Sequence, residues 1–310
     1  MKIGKFLHEG VPKIGVVSGD KWIEGEVFTD IVGNADDIVS YMSLSDVQKE
    51  QIGKRAEKVK GGEKDVHSLA DAQYMAPVGE YSNLYTMRGL STIFSRAVCL
   101  KMPTQPTFDM RYTHNFVGHE HVTVLEKGQE VGGWNIELVA VIGKEAKNVD
   151  KKDVYDCIGG YTILCDTSGH DERSPFYGDG AWKMEEREME VVDHFYRTNF
   201  NGNSLLPVPI GPYITTSDEV GDPHKLMVRE SEKGRLVAHS STQGLLMLFD
   251  EIIAYISTFI TLKPGDMVSS SSISYDGYKH WESHDKDFYI DLEIEKVGTL
   301  RMLIDDRRGA

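Results

Sequence analysis

The sequence predicts an α+β fold, mostly β, in which a sheet closes or folds over on itself. Three observations carry that prediction. Short segments with period-two alternation recur along the chain. Only one long segment, TQGLLMLFDEIIAYISTFI at 242–260, combines helical periodicity with apolar content. A charged stretch poor in β-branched residues, 35–71, supplies a second, solvated helical region.

Taken in order, the first 30 residues read as short strands: KIGKFL, a break at Glu9-Gly10, KIGVVSG, a Gly19-Asp20 turn, then KWIEGEVF. Residues 35–71 read as a helix with an exposed charged face, interrupted at Gly61-Gly62. From 72 to 120 the pattern is irregular. Strands are predicted at 134–143, around 159–166, at 225–230 and at 235–240. In 242–260, Leu245, Leu248, Phe249, Ile252, Ile256 and Phe259 recur at helical spacing, and Lys263-Pro264-Gly265-Asp266 follows the end. MVSSSSIS, FYIDLEIE and TLRMLI are the last strands. In the second of these Phe288, Ile290, Leu292 and Ile294 alternate with polar residues, as in a half-solvated sheet. Two domains are expected, a small strand and helix domain at 1–70 and a larger catalytic domain at 71–310.

Composition excludes several function classes. A net charge of −15 argues against a nucleic-acid partner, because phosphate binding needs clustered Lys and Arg. No apolar run approaches the roughly 18–20 residues of a membrane helix, and MKIGKFLHEG has no apolar signal-peptide core. Three cysteines, Cys99, Cys157 and Cys165, form no disulfide framework and no CxxC pattern. A cytoplasmic protein is expected.

The chemistry-bearing residues lie in two stretches. In WNIELVAVIGK, 134–144, a strand would aim Asn135 and Glu137 to one side and Trp134, Ile136, Leu138, Ala140 and Ile142 to the other. In GGYTILCDTSGHDE, 159–172, an apolar strand would end at Asp166, with Ser168, Gly169, His170 and Asp171 in a small-residue turn. Two carboxylates and an amide oxygen make an oxygen site for Mg²⁺ or Mn²⁺. His119 and His121 in GHEH have ligand-like spacing on one strand face, but without a third ligand the signal is weak. His280, Glu282 and His284 form a polar cluster after the serine run, and solvent exposure is its ordinary explanation.

Segment order adds a resemblance. PTQPTF, NFVGHEH, NIELVAVIGK, GGYTILCDTSGHD, PIGPYITTSDEV, a long apolar helix, TLKPGDMV and IEKVGTL follow one another as in the fumarylacetoacetate hydrolase family. The chain resembles that family over most of residues 1–304. The resemblance implies a β-roll catalytic domain behind a small N-terminal domain, and a homodimer. It implies a divalent cation, Mg²⁺ or Mn²⁺ with Ca²⁺ also admitted, held by Asn135, Glu137 and Asp166. It also implies a small 2-oxo acid or β-dicarbonyl substrate, whose enolate the cation stabilises.

The chain departs from the family pattern at four polar positions. Asn135 replaces the first acid of an acid-x-acid pair, so the cation site is expected to be weak or vacant. The lid stretch SNLYTMRGLST, 82–92, lacks the family's histidine; Arg88 or Leu90 falls near that position, and arginine cannot act as an ordinary base. Arg197 stands nearest to a family lysine. Ser271, Ser272 and Ile273 replace a Gly-Thr-Pro turn. His170, oriented by Asp171, stands where the family commonly has arginine and is the expected proton carrier. Ser272 is expected to replace the threonine hydroxyl. Tyr85, Arg88, Ser168 and Arg197 are the expected substrate contacts, Arg88 as a bidentate partner for a carboxylate. The resulting expectation is a hydrolase or lyase acting on a C–C or C–O bond. The alternatives are an isomerase or dehydratase of a 2-keto-3-deoxy acid, or a metal-free binding protein on the same fold.

Overall fold

The computed structural model describes residues 1–78, 82–87, 104–106, 108–127, 129–171, 206–274 and 288–308; the side chains of 129–133 and 168–171 lie outside that description. Among these residues the strands are β1 (Lys2–His8), β2 (Val11–Ser18), β3 (Lys21–Glu24), β4 (Val66–Ser68), β5 (Gln73–Met75), β6 (Leu84–Met87), β7 (Phe108–Arg111), β8 (Phe116–Val117) and β9 (Val122–Leu125). They continue as β10 (Gln129–Ile142), β11 (Ile158–Asp171), β12 (Val208–Thr216), β13 (Met227–Glu232), β14 (Arg235–Ser241), β15 (Met267–Ser272), β16 (Phe288–Ile294) and β17 (Gly298–Asp306). One sheet runs β4-β3-β2-β1-β12-β11-β10-β15-β6-β7, with β5 on β1 and β8 on β12; the other runs β14-β13-β16-β17-β9. The fold is α+β and mostly β, as the alternation predicts, and the large sheet folds over without closing into a barrel.

Side-chain pattern explains which strands are central. β16 buries Phe288, Ile290, Leu292 and Ile294 and leaves the intervening residues half-covered, the signature of a sheet with one core face. β10 from Trp134 onward is buried on both faces. Trp134, Ile136, Leu138, Ala140 and Ile142 enter the core shared with the second sheet, while Val139 and Val141 enter the core that holds Ile3, Ile14, Val16 and Ile52. Each such fully buried aliphatic side chain contributes about 1.5–3 kcal/mol.

The charged N-terminal stretch forms a helix at Asp46–Lys58, capped by Ser45 and Gln48, whose side chain and backbone exchange hydrogen bonds. Its inner face is not solvated: Ile52 and Ala56 are buried. The helix read at 242–260 is shorter than its periodicity predicts, Phe249–Phe259. The Ser241 hydroxyl accepts from Gln243 N at 3.2 Å and caps a single 3-10 turn, Thr242–Gly244, after which Leu245 is extended. The helix restarts with Asp250 and Glu251 in its first turn, where Glu251 Oε2 accepts from Leu248 N at 3.3 Å.

Three other local expectations are corrected. Gly25–Phe28 is a 3-10 turn and not strand; a Cβ at Gly25 would lie 2.6 Å from the Tyr41 hydroxyl, so the chain folds back against that ring. Residues 168–171 continue β11, with Ser168 opposite Gly133 and His170 opposite Glu130, and form no turn. His119 and His121 do not share a strand face, because the chain turns there and Glu120 adopts φ +61°. Among the described residues no helix is long and apolar enough to cross a membrane.

Candidate functional site

Strand pairing gathers the polar residues. In the antiparallel β10–β11 ladder Asn135 faces Asp166 and Glu137 faces Leu164. Along β10, Asn135 and Glu137 share the face opposite Trp134 and Ile136. On the other edge of β10, Glu137 pairs with Ser272 and Val139 with Ser269, two steps on one strand against three on its neighbour. The extra residue makes a bulge in which Ser271 takes φ +69°. A regular strand would put Ser269 and Ser272 on opposite faces; the bulge turns both toward Glu137. The Ser269 hydroxyl donates to Glu137 Oε2.

A cationic residue completes the group. Arg111 Nη2 lies 2.6 Å from Asp166 Oδ1. Arg111 belongs to β7, four strand positions from β11. In a flat sheet those steps would span about 19 Å, beyond any arginine side chain, so this ion pair reports how far the sheet rolls. Thr86, 7% exposed, is in register with Ser269 and adds a buried hydroxyl with no hydrogen-bond partner.

Burial decides the electrostatics. Glu137 is 2% exposed, and its carboxyl holds its proton well above the ordinary range. Desolvation is the main cause and the charge of Asp166 the second; Ser269 and Arg111 pull the other way. With Glu137 holding its proton and Asp166 paired with Arg111, the described side chains are close to neutral, and a cation would bind by displacing the Glu137 proton. The oxygens of Asn135, Glu137 and Asp166 are the donor type that suits a hard divalent cation.

The expected site residues divide clearly. Asn135, Glu137, Asp166 and Ser272 come together. Tyr85 does not join them and is corrected: it is in register with Val268, which pairs with Ala140, so its ring enters the apolar core on the far face, 2% exposed. Arg88 and Arg197, and the side chains of Ser168, His170 and Asp171, lie outside the described residues, as do His280, Glu282 and His284. Arg111, Ser269 and Thr86 were missed by sequence reasoning. The only signal for Arg111 is the polar alternation of Asp109 and Arg111 in FDMR, which marks a strand face but not its partner.

The model of the fumarylacetoacetate (FAA) hydrolase C-terminal domain matches residues 92–304. An oxaloacetate tautomerase of Xenopus laevis is 31% identical over 167 residues, 54% of this chain and 47% of that protein. A bifunctional isomerase/decarboxylase of 4-hydroxyphenylacetate degradation from Salmonella dublin is 29% identical over 55% of this chain and 35% of its own. The chain thus spans about half the length, or less, of these curated relatives. Among solved structures, maleylpyruvate hydrolase from Sphingobium sp. SYK-6, in complex with manganese(II) and pyruvate, superimposes with TM-score 0.72 at 21% identity, covering 99% of both chains. At that identity the likeness is one of fold.

Proposed function

Because the chain belongs to the fumarylacetoacetate hydrolase family, we propose that it is a divalent-cation-dependent hydrolase or lyase. Its substrate is a small 2-oxo acid or β-dicarbonyl compound, cleaved at a C–C or C–O bond through an enolate. The observation that carries this reading is the convergence of three oxygen donors on one strand face, buried Asn135 and Glu137 beside partly covered Asp166, which Arg111 holds.

Asn135, Glu137 and Asp166 would hold Mg²⁺ or Mn²⁺, which supplies Lewis-acid neutralisation of charge growing on the substrate's oxygens. The other roles belong to the chain. Ser269 fixes the Glu137 carboxylate, and Arg111 restrains Asp166. The bulge presents Ser272 for a hydrogen bond to substrate. Arg88 and Arg197 bind the substrate carboxylate with Ser168, and His170 carries the proton. Tautomerisation uses the same enolate without bond cleavage, and the tautomerase name of a 31%-identical relative supports it as the second reading. A homodimer is the proposed assembly.

The test is metal analysis of protein purified without chelator, then calorimetric titration with Mg²⁺ and Mn²⁺, each with and without oxalate or pyruvate. Binding of about one ion per chain, lost in Glu137→Gln, is expected. No binding even with oxalate present would sink the metal-enzyme reading. A panel of acylpyruvates, 2-keto-3-deoxy acids, oxaloacetate and cyclic 1,3-diketones then separates cleavage from proton transfer.

A further inference from the structure

Far from this face, the N-terminal strands bring together three side chains with metal-ligand chemistry. His8 ends β1, Glu24 ends β3 and His67 lies in β4. One donor atom from each falls within 4.8 Å of the other two. His67 Nε2 is 2.9 Å from Glu24 Oε1, and the two imidazole ring centroids are 4.0 Å apart. Glu24 is buried and both histidines are partly covered. β3 is five strand positions from β10, so the group is separate from Glu137 and Asp166.

From this cluster we infer that the chain carries a second cation site, for a borderline transition metal such as Zn²⁺, Co²⁺ or Ni²⁺, with His8, Glu24 and His67 as ligands. Donor number and type select the ion. A histidine–glutamate hydrogen bond accounts for one imidazole, and the second brings a third donor into the same small volume. Ligands bound at about 2.0–2.2 Å to one ion stand roughly 3.0–3.5 Å apart, so the His67–Glu24 spacing needs little change and His8 at most a short approach. Two imidazole nitrogens and one carboxylate oxygen select Zn²⁺-like ions, whereas the all-oxygen set at Asn135, Glu137 and Asp166 selects Mg²⁺ or Mn²⁺.

The surroundings are organised to match. Lys13 Nζ lies 2.9 Å from Glu24 Oε2, which holds the carboxylate and leaves Oε1 to face the histidines. Trp22 stacks beside His67 with ring centroids 4.3 Å apart and closes one side of the group. An ion here would tie β1 to β3 and β4 and stabilise the N-terminal strands by mass action.

The experiment uses the full chain in saturating Mg²⁺, titrated with Zn²⁺ by calorimetry and with Co²⁺ or Ni²⁺ by tryptophan quenching. About one transition ion per chain is expected. Binding should persist in Glu137→Gln, fall at least tenfold in His8→Gln and in His67→Gln, and raise the melting temperature only when both histidines are present. In Trp22→Phe the quenching should drop while calorimetric binding remains. Failure of wild type to bind Zn²⁺ in Mg²⁺, or unchanged affinity in a folded His8→Gln, overturns the inference. Loss of binding in Glu137→Gln with retention in both histidine variants would also overturn it, by moving the ion to the other site. Because the two sites are read with different ions and variants, either proposal can fail alone.

Discussion

Asn135 is 6% exposed and stands directly opposite Asp166, with Glu137 two residues along the same face. An ionised carboxylate there would repel Asp166 and further disfavour ionisation of Glu137, in a place where water screens little. The amide keeps the ligand oxygen and removes that repulsion, and it also removes attraction for a cation. Asn135→Asp should therefore tighten Mn²⁺ binding by at least tenfold. It should also destabilise the metal-free protein by roughly 1–3 kcal/mol, the cost of an uncompensated buried charge. Calorimetry and melting curves with and without Mn²⁺ check both signs; unchanged affinity would remove Asn135 from the ligand set. That this residue faces the site could be read from period two alone. Arg111 could not, because its contact with Asp166 depends on how the sheet rolls, which no local pattern encodes.

Whole strands were the most legible elements, since one buried face imposes an alternation that the sequence must carry: β16 and β17 fall where it predicts, while β10, buried on both faces, begins five residues before the predicted strand. Departures occur where a local hydrogen bond or a turn overrides periodicity, as at Ser241 before the Phe249–Phe259 helix and at Ser271 in the β15 bulge. The turn at 118–121 is another. Glu120 N donates to Arg301 O at 2.8 Å, Arg301 N donates to His119 Nδ1 at 3.0 Å, and Leu303 N donates to His121 O at 3.1 Å. These bonds join the turn to β17 beside β9, so His119 must stay neutral to accept. Burial and then the Arg301 guanidinium push its pKa down to about 4, against a weaker opposing pull from Asp291. The folded state thus resists a proton that the unfolded chain accepts below about 6.5. Stability from this group is intact above that pH and is lost progressively as pH falls toward 4, by an amount approaching roughly 3 kcal/mol. Denaturant unfolding at pH 7 and pH 4.5 should show a smaller loss in His119→Asn, whose amide oxygen can still accept from Arg301. An equal loss in both proteins would exclude His119 as the acid-sensitive joint.

At the scale of the molecule, residues 1–70 and the strands that carry the site are packed as one structure. β1 continues the large sheet through Lys2–Thr215 and Ile3–Ile214 pairing, and Ile3, Ile14 and Val16 share a core with Val139, Leu164, Val208 and Ile210. Val139 and Leu164 lie two residues from Glu137 and Asp166, so the core that supports the site face is completed by the N-terminal segment. The glycine of the VIGK stretch marks a tight joint. A Cβ at Gly143 would sit 2.8 Å from Gly159 Cα and 2.9 Å from Met42 O, all backbone neighbours that cannot swing aside. Ser43 Oγ donates to Gly143 O at 2.8 Å across the same joint. Gly143→Ala should then cost about 1–3 kcal/mol by overpacking, and it should weaken the site as well as the N-terminal packing. The stronger test is the fragment 71–310. Without β1 and β2 it would expose Val208, Ile210 and Ile214, so it should aggregate or fail to bind Mn²⁺, while the full chain unfolds in a single transition by Trp fluorescence and by circular dichroism. A monodisperse fragment that melts cooperatively and binds Mn²⁺ like the full chain would show instead that the site face is self-supporting, and that residues 1–70 pack onto it without holding it up.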